Sequence, residues 1–158
     1  MYYTTIITAI LGLTAIYCAM QISVTDMRRR IIPDVYLFPL MLIGLIFTSF
    51  FDWIVSPAQS VAAATFAYAS GMIIGVIFEK SKYVKKQKYE YPPIGMGDIK
   101  LMMTGGIWLG MTGLAIAVLF ATLSGAIWSK VKKQKFIPFA PFFISGAIIS
   151  LLIITFLI

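Results

Sequence analysis

All thirteen Lys and Arg residues of this 158-residue chain fall in three places: Arg28 to Arg30, Lys80 to Lys100 and Lys130 to Lys135. Between these clusters the chain is almost wholly apolar. Cations gathered on one side of alternating hydrophobic runs are what a chain threaded through a bilayer carries, with the clusters facing the cytoplasm. The same distribution decides what the net charge of +7 means. A nucleic-acid binder needs a soluble face on which to display its charge. With 60% apolar and 12% charged residues, far from the proportions of a soluble domain, no such face is available. The expected surroundings are a lipid bilayer, and no nucleic-acid partner is expected.

Counting crossings at roughly 20 residues each gives six. Tyr2 to Thr25 is the first. It has no positive residue before it and no small-residue cleavage site before Asp26, which argues against a removable signal peptide. Asp34 to Phe51 is the second, closed by Asp52, Trp53 and the Ser56-Pro57 turn. Pro57 to Phe78 is the third. Ile99 to Trp128 is too long for one crossing: its 30 residues would extend about 45 Å as a straight helix, against a hydrocarbon core of about 30 Å. A single crossing would also put Lys130 to Lys135 on the wrong side. Two short crossings with a turn around Gly110-Met111-Thr112-Gly113 restore the charge parity. Phe136 to Ile158 is the sixth. The expected fold is one all-α, polytopic membrane domain over residues 1–158, with both termini extracytoplasmic. Ala63, Ala67, Gly71 and Gly75 put small residues on one face of the third span, and Ala121 and Gly125 do so later. Such faces permit close helix packing.

The residue inventory narrows the chemistry. There is no histidine and one cysteine, Cys18, set in an apolar run. That removes His-based triads, His and multi-Cys metal sites and internal disulfides. No cofactor or metal is expected. Of the six carboxylates, Asp52 is the lone acid expected outside, and Glu79 and Glu90 border a lysine-rich loop where solvated ion pairing accounts for them. Asp26 ends the first span and Asp98 opens the fourth, both at the cytoplasmic border. Acids at that depth are costly and are candidates for function. They could equally pair with Arg28 to Arg30 and Lys100. Around Asp98, Gly95 and Gly97 allow backbone conformations closed to other residues and leave the carboxylate accessible. A helix beginning at Asp98 would hold the acid at its positive end.

Three segments carry a family resemblance. Asp26-Met27-Arg28-Arg29-Arg30-Ile31-Ile32-Pro33 resembles the first active-site segment of the type IV prepilin peptidases. Gly95-Met96-Gly97-Asp98-Ile99-Lys100-Leu101 resembles their Gly-x-Gly-Asp segment, and Ile137-Pro138-Phe139-Ala140-Pro141-Phe142 their Ile-Pro-Phe-Gly-Pro-Phe segment. The three stand in the family's order and span nearly the whole chain. One position departs: Asp34 follows Pro33 where the family usually has Asn. The chain also lacks the cysteine pairs and the added region of the bifunctional members, so it resembles the minimal, peptidase-only form, and methylation of the product is not expected.

What the resemblance implies is a membrane aspartyl endopeptidase whose catalytic residues are Asp26 and Asp98. Gly95, Gly97, Lys100, Pro33, Pro138 and Pro141 supply the supporting motifs. The substrate class it implies is the prepilins or prepilin-like proteins, cut at the cytoplasmic border between a short basic leader and an apolar helix. Two neighbouring aspartates share one proton rather than ionise together, and the pair titrates as a unit. Lys100 could tune Asp98 or anchor at the interface. A presenilin-like intramembrane protease shares Gly-x-Gly-Asp, yet Thr25 rather than Tyr precedes Asp26 and no Pro-Ala-Leu occurs. A non-enzymatic membrane subunit with structural Asp–Arg and Asp–Lys pairs is the alternative from another class.

Overall fold

A long apolar segment can satisfy its own backbone polar groups in hydrocarbon only as a helix or within a closed barrel. The computed structural model describes residues 2–51, 53–85, 94–133 and 137–157, and its regular elements there are all helices. They are α1 (Tyr2–Arg29), α2 (Asp34–Phe50), α3 (Pro57–Lys85), α4 (Met96–Lys132) and α5 (Phe139–Leu157). Among the described residues, four segments are long and apolar enough to cross a membrane: Tyr2–Arg29, Pro57–Lys80, Met96–Lys132 and Phe139–Phe156. Asp34–Phe50 is a shorter apolar helix. Outer faces carry exposed Ile10, Leu13 and Met20 on α1 and Leu119, Leu123 and Ile127 on α4, surfaces that suit hydrocarbon rather than water. Asp52 and Glu90 lie outside the described residues.

Charge does not end α1 at Thr25, where the apolar run stops. The helix continues through Asp26 to Arg29, because arginine is a good helix former and cations suit a helix C-terminus. Arg30, in the left-handed region (φ 58), ends it, and its N–H donates to the Asp26 carbonyl at 3.0 Å. Pro33 (φ −78, ψ 126) then leads into α2, with Asp34 in the first turn.

α4 is the hub, touching α2, α3 and α5, while α1 packs on α2 and α5. Within α4 the helical conformation breaks at one residue, Gly110, with φ 64 and ψ −170. The turn expected over four residues is confined to this glycine, since Met111 to Gly113 are helical. Before the break α4 packs on α3, Gly71 lying against Ile99 and Gly106 against the backbone of Ala63 and Ala64. Beyond it, α4 packs on α5. Gly113 lies against Ser150 and Ile154, Gly146 against Ala117, and Gly125 against Ile137. Numbering runs in opposite directions in both pairings, so each arm of α4 is antiparallel to its neighbour.

The break interrupts the helical hydrogen-bond ladder, and side chains from outside α4 donate to two carbonyls just ahead of it. Trp53 Nε1 donates to the Trp108 carbonyl at 2.9 Å, and Ser60 Oγ to that of Ile107 at 2.8 Å. Trp108 in turn donates its indole N–H to the Leu40 carbonyl at 3.0 Å, so α2, α3 and the break are tied together. Ser60 is fully buried. Ser60→Ala is therefore expected to cost about 1–3 kcal/mol by stranding a buried carbonyl. Thermal unfolding in detergent checks this against Thr65→Ala, an exposed hydroxyl bonded only to its own helix at Val61. Equal stability of the two variants would refute it.

The small-residue faces meet their partners as far as those partners extend. Ala63, Ala67 and Gly71 are buried, and so are Ala121 and Gly125. Gly75 differs: among the described residues, no heavy atom beyond its own stretch of helix lies within 4 Å of where its Cβ would be. Ile99 already faces Gly71, so one further turn along α3 reaches the end of α4 and the packing face runs out.

Candidate active site

Asp26 sits on the buried face of α1, one helical step beyond Ala15, Cys18 and Ile22, and is only 5% exposed. A buried carboxylate needs donors. The main chain supplies one: the Ala140 N–H reaches Asp26 Oδ2 at 2.9 Å. Ala140 is the second residue of α5, where backbone N–H groups have no partner inside the helix. Pro138, fully buried, sets the start of that helix, and Pro141 costs no hydrogen bond because it too lies in the first turn. The third sequence segment thus delivers an amide to the first. The positive charge of Arg30 also acts on Asp26.

Asp98 is half-buried in the first turn of α4, which begins at Met96 and not at the acid itself. Its Oδ2 accepts the Gly95 N–H at 3.3 Å, closing the helix start on itself. Asp26 and Asp98 lie within electrostatic reach of one another. The two motif acids are therefore together at one end of the bundle, and Gly125 and Ile137, which pack together beside α5's start, mark the same end.

Two expectations around Asp98 need correction. Neither Gly95 nor Gly97 has a positive φ; among the described glycines only Gly110 does. Gly95 is extended, at φ −73 and ψ 145. What demands glycine is space. A Cβ on Gly97 would lie 3.0 Å from Ile32 Cβ, and one on Gly95 would lie 3.2 Å from Asp98 Oδ2. Lys100, in turn, does not reach toward Asp98. Its ammonium meets both oxygens of Asp34, at 2.9 and 2.8 Å, and stands 5.8 Å from the centre of the Phe38 ring. Of the pairings weighed for the two acids, the one between Asp98 and Lys100 gives way to an Asp34–Lys100 ion pair. Pro33 precedes α2, and its carbonyl accepts the Leu37 N–H at 3.2 Å. Glu79 is exposed near the end of α3. Among the described residues, no three carboxylate, thiol or imidazole groups gather as a metal site.

Residues 11–130 match the type IV leader peptidase family. The chain belongs to that family. Relatives include proteins named prepilin leader peptidase/N-methyltransferase. That of Dickeya chrysanthemi is 30% identical over 134 residues, which are 80% of this chain and 44% of the relative. That of Escherichia coli K12 is 28% identical over 155 residues, 94% of this chain and 65% of the relative. That of Neisseria gonorrhoeae is 32% identical over 132 residues, 80% of this chain and 43% of the relative. The chain thus spans about half the length of most of these leader peptidase relatives. No solved structure matches it. The family match contains both acids but ends before the segment that carries Ala140.

Proposed function

We propose that this chain is the peptidase of a prepilin-processing system. It cuts the short basic leader from type IV prepilins or prepilin-like proteins, using Asp26 and Asp98 on a water molecule. The observation that carries the reading is the convergence of these two acids at one end of the bundle, with the third motif's Ala140 amide donating to the first. One carboxylate, ionised, takes a proton from water as the oxygen attacks the scissile carbonyl. The other, protonated, donates to that carbonyl oxygen and stabilises the tetrahedral adduct. Collapse breaks the C–N bond, and the amine leaves with a proton returned from the pair. The products are a free leader carboxylate and a mature chain with a new N-terminus. Purified protein in detergent, incubated with a test prepilin, should release the leader; an intact substrate would remove the reading.

The site lies at the cytoplasmic border of a cell membrane that the chain crosses six times. Supporting this count are the one-sided cations, the break at Gly110 and the antiparallel packing of both arms of α4. Reporter tags fused at residues 1 and 158 should both report an extracytoplasmic position, and one inserted near Lys86 a cytoplasmic one. Termini on opposite sides would overturn six crossings.

A further inference from the structure

Residues two apart on a helix point about 200° apart, so Asp98 and Lys100 leave α4 on nearly opposite sides. Lys100 is held at two points. Its Nζ bonds both Asp34 oxygens, at 2.9 and 2.8 Å, and lies 5.8 Å from the centre of the Phe38 ring. Asp34 and Phe38 are four residues apart and share one face of α2. Gly97, on the same side of α4 as Lys100, receives Ile32 of the α1–α2 linker. Ile99 packs on Gly71 of α3. Three of the four residues from Gly97 to Lys100 are therefore engaged by other helices or the linker, and the fourth is Asp98.

We propose that Asp34 and Lys100 are positioning residues for the Asp26–Asp98 pair: their ion pair, with the Ile32–Gly97 contact, fixes the roll of α4 about its axis. The proposal rests on the dyad reading above. Asp34 opens α2 directly after the linker that follows Asp26's helix. Any roll that carries Asp98 away from Asp26 must draw Lys100 off α2. Both partners are partly exposed, 32% for Lys100 and 49% for Asp34, so the pair adds little to overall stability. Its consequence is orientation. Catalytic groups misplaced by about 1 Å lose about 100-fold in rate, which a weak contact of the right geometry can prevent.

The test has a geometric and a kinetic arm. In a Cys18→Ala background, Asp26→Cys and Asp98→Cys introduce a thiol pair whose cross-linking by a short bis-thiosulfonate reads the relative placement of the two positions without any catalysis. Adding Lys100→Met or Asp34→Ala should slow that cross-linking several-fold. In the otherwise native chain, either of these two substitutions should lower kcat by about 10- to 100-fold with KM within twofold. Asp34→Asn keeps an oxygen for the ammonium and should retain at least about a third of kcat. The exchanged pair Asp34→Lys with Lys100→Asp should recover activity over either single change. Unchanged cross-linking on loss of the pair overturns the proposal. So does a parallel loss of kcat and folded protein that neither the Asn variant nor the exchange rescues. If the native chain cuts no prepilin, the dyad reading fails instead, and the cross-linking arm still decides whether the pair sets the geometry.

Discussion

Asp26→Asn and Asp98→Asn should each reduce prepilin cleavage by about 10²–10⁴-fold, while the protein still inserts and still binds substrate. Asn keeps the shape of Asp and an oxygen that can accept the Ala140 N–H now received by Asp26 Oδ2. It cannot exchange the proton on which acid–base catalysis depends. Because the two acids act as one unit, the double substitution should be scarcely worse than either single one. Asp52→Asn, expected on the far side of the membrane, is the control and should remain active. Conversion of substrate to its shorter product on a gel checks all four. Substantial cleavage by either single Asn variant would remove the dyad and leave the acids as structural partners of nearby cations.

A large stability effect should come from Gly106. A Cβ there would stand 2.8 Å from the Ala63 carbonyl carbon and the Ala64 nitrogen, both main chain and unable to swing aside. Gly106→Ala must therefore push α3 and α4 apart, at a cost of about 1–3 kcal/mol, and Gly106→Val more. Gly75→Ala is the matched comparison, because among the described residues nothing beyond its own stretch of helix lies within 4 Å of its added methyl. Removing a helix-interior glycine should there be neutral or stabilising. Unfolding curves in one detergent would rank the three. A Gly106→Ala variant as stable as Gly75→Ala would mean that the helices can separate freely.

How much of this was open to reading beforehand depended on which physical term governs each feature. Position at the ends of apolar runs left Asp26 and Asp98 equally open to pairing with nearby cations, and the motif segments around them tipped the reading toward function. The length of Ile99 to Trp128 called for an interruption, and Gly110 supplies a backbone break. Length alone did not show that one residue suffices, nor that Ser60 and Trp53 would answer the carbonyls ahead of it. For Lys100 two roles stood open, tuning Asp98 or anchoring at the interface, and neither named its partner. On a helix already under way at Met96, residues two apart face away from each other, and Lys100 meets Asp34. The glycines of the second motif were credited with conformational freedom, yet clearance for Ile32 and for the Asp98 carboxylate is what they provide. Ala140 gave no signal through its side chain, since its contribution is an amide hydrogen common to nearly every residue. A Pro-flanked helix start marks where such hydrogens point outward, but which acid would receive one is decided by tertiary packing alone.

That amide has a bearing on how the protein comes into being. The hydrogen bond from Ala140 to Asp26 joins positions 114 residues apart. A ribosome therefore makes Asp26 well before it makes the helix that supplies this donor. Until α5 docks, Asp26 lacks this donor. A chain arrested after α4 would hold each of the proposed catalytic side chains and still be an incomplete enzyme. Assembly order would then keep the proposed peptidase from acting before α5 is in place.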